Sequence, residues 1–170
     1  MKRYRTITAA GVSALLMLTA CKESGNITPP DLSGNIEISG VISCGTLKAE
    51  ADISRTDGVW TICYTSADSL NGMEIVINGT DCKVAHSGIS FDYSSEQVPF
   101  VTAADYITTV IDNAQSAENI SLSVSGEGKR ITGAVLSSGY EIIIDKTGDI
   151  TSVSAGDCKF TAVDNDKKEA

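Results

Sequence analysis

Five cysteines, one histidine and 22 acidic residues are the groups from which this 170-residue chain could build chemistry. A catalytic site needs a nucleophile with its base, a carboxylate pair or a metal. His86 stands alone beside a Ser87-Gly88 pair, where a histidine is ordinarily solvated or structural. The serines include no Gly-x-Ser-x-Gly elbow. Glu50, Asp52 and Glu141 alternate with apolar residues, which is the pattern of a solvated strand face. Gly126-Glu-Gly-Lys-Arg130 matches neither a phosphate-binding loop nor a dinucleotide fingerprint and reads as a hairpin turn. Cys44, Cys63, Cys82 and Cys158 contain no Cys-x-x-Cys pair, the spacing of zinc knuckles and thioredoxin-type sites. The expectation is a protein that is not an enzyme, with no cofactor and no metal.

The fifth cysteine has a different setting. Lys2, Arg3 and Arg5 precede an apolar run from Ile7 to Leu18, and small residues follow, the layout of a secretory signal. That run falls short of the roughly 20 apolar residues that span a bilayer, and Thr8, Gly11 and Ser13 dilute it. Leu18-Thr19-Ala20-Cys21 resembles the lipobox of bacterial lipoprotein precursors. The resemblance implies cleavage before Cys21, with diacylglycerol and palmitate-type acyl chains on that residue. Residues 1–20 would be the signal peptide, and the mature chain would sit on the extracytoplasmic side of the cell membrane. Each buried methylene of such an anchor contributes about 0.8 kcal/mol.

Removing Lys2, Arg3 and Arg5, with no acidic residue before Cys21, takes the net charge from -9 to -12. So acidic a chain repels phosphate backbones, which argues against nucleic acid as a partner. The four remaining cysteines permit two disulfides in an exported protein, with all three pairings open.

The elements that would position any site are mostly strands. Residues 21–34 read as lipid anchor and polar tether and residues 164–170 as a charged tail, which leaves residues 35–163 as the domain. Within it, alternating runs are separated by turn clusters at intervals of about 8–12 residues. Residues 35–44 alternate as a strand, and Leu47, Ala49, Ala51 and Ile53 share one face of the next. Trp60, Ile62 and Tyr64 follow Asp57-Gly58, and Met73, Ile75 and Ile77 follow Asn71-Gly72. Cys82 and Val84 follow Asn78-Gly79, and Ile89, Phe91 and Tyr93 follow Ser87-Gly88. Such tight turns join antiparallel neighbours. Ala103, Ile107, Val110, Ile111 and Ala114 then recur at helical spacing behind Thr102-Ala-Ala-Asp105, a capping box with Asp for Glu. Strands return at 120–124, 131–136, 140–144, 150–153 and 158–163, with turns at Gly126-Glu-Gly128, Ser138-Gly139, Lys146 to Asp149 and Gly156-Asp157. The fold expected is mainly β: a strongly curved antiparallel meander, or half-barrel, of about ten strands with one central amphipathic helix.

The segment Ser66-Ala-Asp-Ser-Leu70-Asn-Gly72-Met-Glu-Ile75, followed by Gly79, Val84 and Gly88, resembles the strand-turn-strand of small Gram-positive lipoproteins. These belong to the lipoprotein-carrier superfamily of LolA, LolB and LppX-like half-barrels. The resemblance covers residues 45–163 and implies a cavity for acyl chains between sheet and helix. Two departures are a first strand where the superfamily opens with a helix, and a lid of one helix, which imply a smaller cavity or none. Independently, one helical stripe is too narrow to cover the apolar face of so wide a sheet. Trp60, Ile62, Met73, Ile75, Ile77, Phe91, Ile107 and Ile111 are therefore candidates to line a ligand space. Two functions follow: a non-enzymatic binder or carrier of a lipid or acyl ligand, or a cell-envelope protein-interaction scaffold with a filled core.

Overall fold

A computed structural model describes residues 29–95, 103–116, 120–126, 128–135 and 138–163. Among these residues eleven strands form one antiparallel sheet with a single helix over it. The first half comprises β1 (Ile36–Cys44), β2 (Leu47–Thr56), β3 (Val59–Tyr64), β4 (Glu74–Asn78), β5 (Asp81–His86) and β6 (Ile89–Ser94). The helix α1 (Ala103–Ser116) follows. The second half is β7 (Ser121–Ser125), β8 (Gly128–Val135), β9 (Ser138–Ile144), β10 (Ile150–Ala155) and β11 (Cys158–Ala162).

The spatial order is β6-β5-β4-β3-β2-β1-β11-β10-β9-β8-β7. Each half is thus a plain meander, and the halves meet where the first and last strands pair, Gly40 opposite Ala162 through Cys44 opposite Cys158. The segment containing α1 carries the chain from one sheet edge to the other. Strands lie about 4.8 Å apart, so a flat sheet would put β6 about 43 Å from β8. A 14-residue helix is only about 21 Å long. Yet α1 packs on β8, β10, β11 and β1 while Asp105 hydrogen-bonds Tyr93 of β6. The sheet must therefore curl around the helix, while its edges β6 and β7 remain apart.

Local chemistry explains the hairpins. Asp57-Gly58 and Ser87-Gly88 both carry positive φ at each residue, the two-residue turn whose twist suits antiparallel strands. The Lys146 to Asp149 turn is organised by Asp145, whose Oδ1 accepts N–H bonds from Thr147, Gly148 and Asp149 at 2.8–3.0 Å. The Thr147 hydroxyl, which also donates to Oδ1 at 2.6 Å, and then those backbone bonds favour the charged form and hold the Asp145 carboxyl below the usual range.

Several expectations shift. The link from β3 to β4 is a loop over residues 65–73, with Ala67 at φ 70° accepting from Leu70 and Asn71, so Asn71-Gly72 closes a longer loop than a tight turn. Ser138 and Gly139 lie within β9 rather than in a turn. Leu32, placed by composition in the tether, is buried in the core. Its carbonyl is held by a buried arginine, and that polar bond compensates for ordering a short strap. Thr102, Cys21 and the terminal segments fall outside the described residues.

The inner face carries the core: Ile42, Ile53, Ile62, Ile75, Ile131, Ile142 and Phe160 meet Ile107, Val110 and Ile111 of the helix. Burying side chains of this size contributes about 1.5–3 kcal/mol each. Two strand glycines make room for rings, since a Cβ on Gly40 would strike the Phe160 ring at 2.7 Å and one on Gly133 the Tyr140 ring at 2.5 Å.

Candidate functional site

Of the eight candidates to line a ligand space, five lie in the packed interior. Ile62, Ile75, Ile107 and Ile111 are 0% exposed and Trp60 is 2% exposed, so no water-sized volume stands against them beyond a trace at the indole. Met73 and Ile77 are half-buried against the same core. Phe91 is different: it lies on β6 and is 53% exposed. The structure thus brings seven of the eight into one cluster and leaves the eighth at the rim.

What holds the helix down is polar at both ends and apolar between. At its start, Tyr64 takes a hydrogen bond from the Ala104 backbone N–H, and Tyr93 donates to Asp105 Oδ2 at 2.8 Å. Burial, reinforced by the Asp105 charge, pushes the Tyr64 hydroxyl up to about 12. Burial and then the Asp105 hydrogen bond raise Tyr93. Near its end, Asp112 accepts from Arg55 Nη1 at 2.8 Å through one oxygen and from Trp60 Nε1 at 2.9 Å through the other. The Arg55 guanidinium is buried, lies 5.0 Å above the Trp60 ring, and donates to the carbonyls of Leu32 and of Gly34, the latter at 2.8 Å. One cation therefore joins strap, sheet and helix, and its pairing offsets the cost of removing a charge from water.

Sequence reasoning passed over this residue, although a signal for it existed. The alternation Ala49, Ala51, Ile53 continues for one more step to Arg55, which places a charge on the apolar face. Asp105, read as a capping residue, and Tyr93 likewise carry a bond between the helix and the far sheet edge.

The cysteines divide two ways. Cys44 and Cys158 form a disulfide across the β1–β11 junction. Cys63 and Cys82 are free. Burial, with the charges of Glu74 and Asp52, raises the Cys63 thiol, and burial raises that of Cys82, so neither is an activated thiolate. Among the described residues the one cluster with metal-ligand spacing is Cys44, Asp157 and Cys158, whose two sulfurs are committed to the disulfide. His86 sits at the end of β5 opposite Ile89, and its Nδ1 meets no hydrogen-bond partner among the described residues.

The surface feature left over is the rim at β6. Ile89 is 74% exposed and Phe91 53%, on a strand that among the described residues has β5 on one side only. Beside it, a groove of about 560 Å³ runs between Val76, Asn78, Asp81, Lys83, Asp92 and Ser94. A second groove of about 500 Å³ lies between the strap at Pro30 and Asp31 and the β9–β10 turn, with Val124 on its wall. No helix among the described residues is long and apolar enough to cross a membrane.

No protein-family model matches the chain, and comparison with curated proteins finds no match. Among the solved structures that resemble it at low identity are the following two. One is a chain from the structure of the CwlD amidase of Clostridioides difficile in complex with the GerS lipoprotein, 10% identical over 72% of this chain and 75% of that chain, with a TM-score of 0.46. The other is a LolA superfamily protein from Nitrosomonas europaea, 10% identical over 71% of this chain and 62% of that chain, with a TM-score of 0.30.

Proposed function

We propose that this protein is a protein-interaction module of the cell envelope, tethered to the extracytoplasmic face of the membrane through lipid on Cys21. Residues 1–20 would be removed as a signal, and the segment up to the strap at Leu32 would span from the lipid to the domain. The observation that carries the reading is the filled interior: five of the eight side chains suited to grip an acyl chain, Trp60, Ile62, Ile75, Ile107 and Ile111, are 0–2% exposed and already packed on one another. A ligand could enter there only by lifting α1 off Arg55, Trp60, Tyr64 and Tyr93. The role requires no covalent chemistry of the protein itself.

A second reading, a carrier of an apolar ligand, draws on the inner face beyond the helix, where Met73 and Ile77 are half-buried and Phe91 is exposed. One experiment separates the two. Purified protein is extracted with organic solvent, the extract is analysed by mass spectrometry, and melting is followed with added fatty acid and phospholipid. The module reading expects no stoichiometric lipid and an unmoved melting temperature. Stoichiometric lipid, or a melting temperature that climbs with lipid concentration as binding to the native state requires, would overturn it in favour of a carrier.

A further inference from the structure

We infer that the outer edge of β6, at Ser90 and Asp92, is a docking strand for an extended segment of another envelope protein, one with apolar residues at alternate positions and Lys or Arg between them. This rests on the protein-interaction reading and names its site and partner chemistry. The backbone argument comes first. Ser95 N–H donates to the Thr80 carbonyl opposite it at 2.9 Å. In an antiparallel pair, opposed residues alternately exchange both bonds and none. Tyr93 with Cys82, Phe91 with Val84 and Ile89 with His86 therefore bond inward. The N–H and C=O groups of Ser90 and Asp92 then point away from the sheet, toward the position of a twelfth strand.

Side chains specify what that strand must be. On the inner face it would meet Ile89 and Phe91, whose exposure a soluble edge ordinarily avoids. On the outer face it would lie beside Asp92, with Asp81 and Glu74 on the next strands and Lys83 as the cation among them. Alternating apolar and basic residues satisfy both faces at once, since neighbours along a strand point to opposite sides. The same charges argue against a second copy of this chain. Antiparallel pairing of β6 with itself would bring Asp92 toward its own copy, between chains of net charge -9, or -12 once the leader is removed.

The test follows backbone amide exchange by NMR on the full-length chain in detergent. The probes are an end-blocked peptide Lys-Val-Lys-Ile-Lys-Val-Lys and its counterpart with Glu for Lys. The basic peptide should slow exchange of the Ser90 and Asp92 amides about tenfold or more, equivalent to about 1.4 kcal/mol, and the acidic peptide should leave them unchanged. Ser90→Pro removes an outward N–H and no bond to β5, so it should keep the melting temperature and abolish the protection. Failure of the basic peptide to protect, equal protection by the acidic peptide, or protection that survives in the proline variant would overturn the proposal. So would a dimer without peptide in which the same amides are already slowed. Failure here leaves the lipid extraction result unaffected, so loss of the edge site and loss of the module reading are told apart.

Discussion

Opening the Cys44–Cys158 disulfide tests whether the junction of the first and last strands is the hinge of this fold. The crosslink spans a sequence separation of 114, nearly the whole domain. In the chain-entropy model, a loop of that length restricts the unfolded state by about 4.8 kcal/mol at 25 °C, within a usual range of about 2–5 kcal/mol. The β1–β11 ladder and the core contacts of Ile42 and Phe160 persist without the bond. Cys44→Ala/Cys158→Ala should therefore fold, with unchanged far-ultraviolet circular dichroism, but with much lower stability. With an m-value of about 2 kcal/mol/M in urea, a loss of about 4 kcal/mol moves the midpoint by about 2 M. The m-value should rise as well, because the uncrosslinked chain exposes more surface on unfolding. Equilibrium urea unfolding of the native protein and the variant reads both quantities. A midpoint shift under about 0.5 M would refute the reasoning, since the two halves would then be held by something other than a covalently closed junction.

Three further perturbations address the helix anchors. Arg55→Met removes the cation that joins strap, sheet and helix, and should cost about 2–4 kcal/mol in urea unfolding because the Leu32 and Gly34 carbonyls lose their donor. Limited proteolysis should then cut near residues 29–34, and an uncut strap would argue against the anchor. Tyr93→Phe deletes a bond to a carboxylate and should cost about 1.5–3 kcal/mol; a neutral result would show that the β6 edge holds to the helix without Asp105. The third is a pH effect. The Tyr64 hydroxyl is raised to about 12 in the folded protein against about 10 unfolded. Its contribution is complete below pH 10 and is lost as pH rises from 10 through 12. Tyr64→Phe should flatten that alkaline decline in melting temperature, and an identical decline in the variant would assign it to other groups.

The sequence by itself determined the local geometry. Alternation of period two from Leu47 through Ile53, turn pairs such as Asp57-Gly58 and Ser87-Gly88, and the 3.6-residue recurrence of Ile107, Val110 and Ile111 each report a backbone period that side chains must follow. They sufficed for an antiparallel meander with one central helix. Tertiary structure alone decided the pairing of β1 with β11, because register between strands more than 100 residues apart is set by how the helix carries the chain across the sheet, not by any local period. The choice of Cys44 with Cys158 among three open pairings follows from that register. So does the role of Arg55, whose place on the apolar face is legible but whose partners come from the strap and the helix. The filled interior was decided there too: an apolar residue reads the same in sequence whether it packs on neighbours or lines a space. Ile89 and Phe91 stand exposed although they share strand phase with Tyr93, because the helix is bonded to β6 at Tyr93, through Asp105, near the far end of that strand.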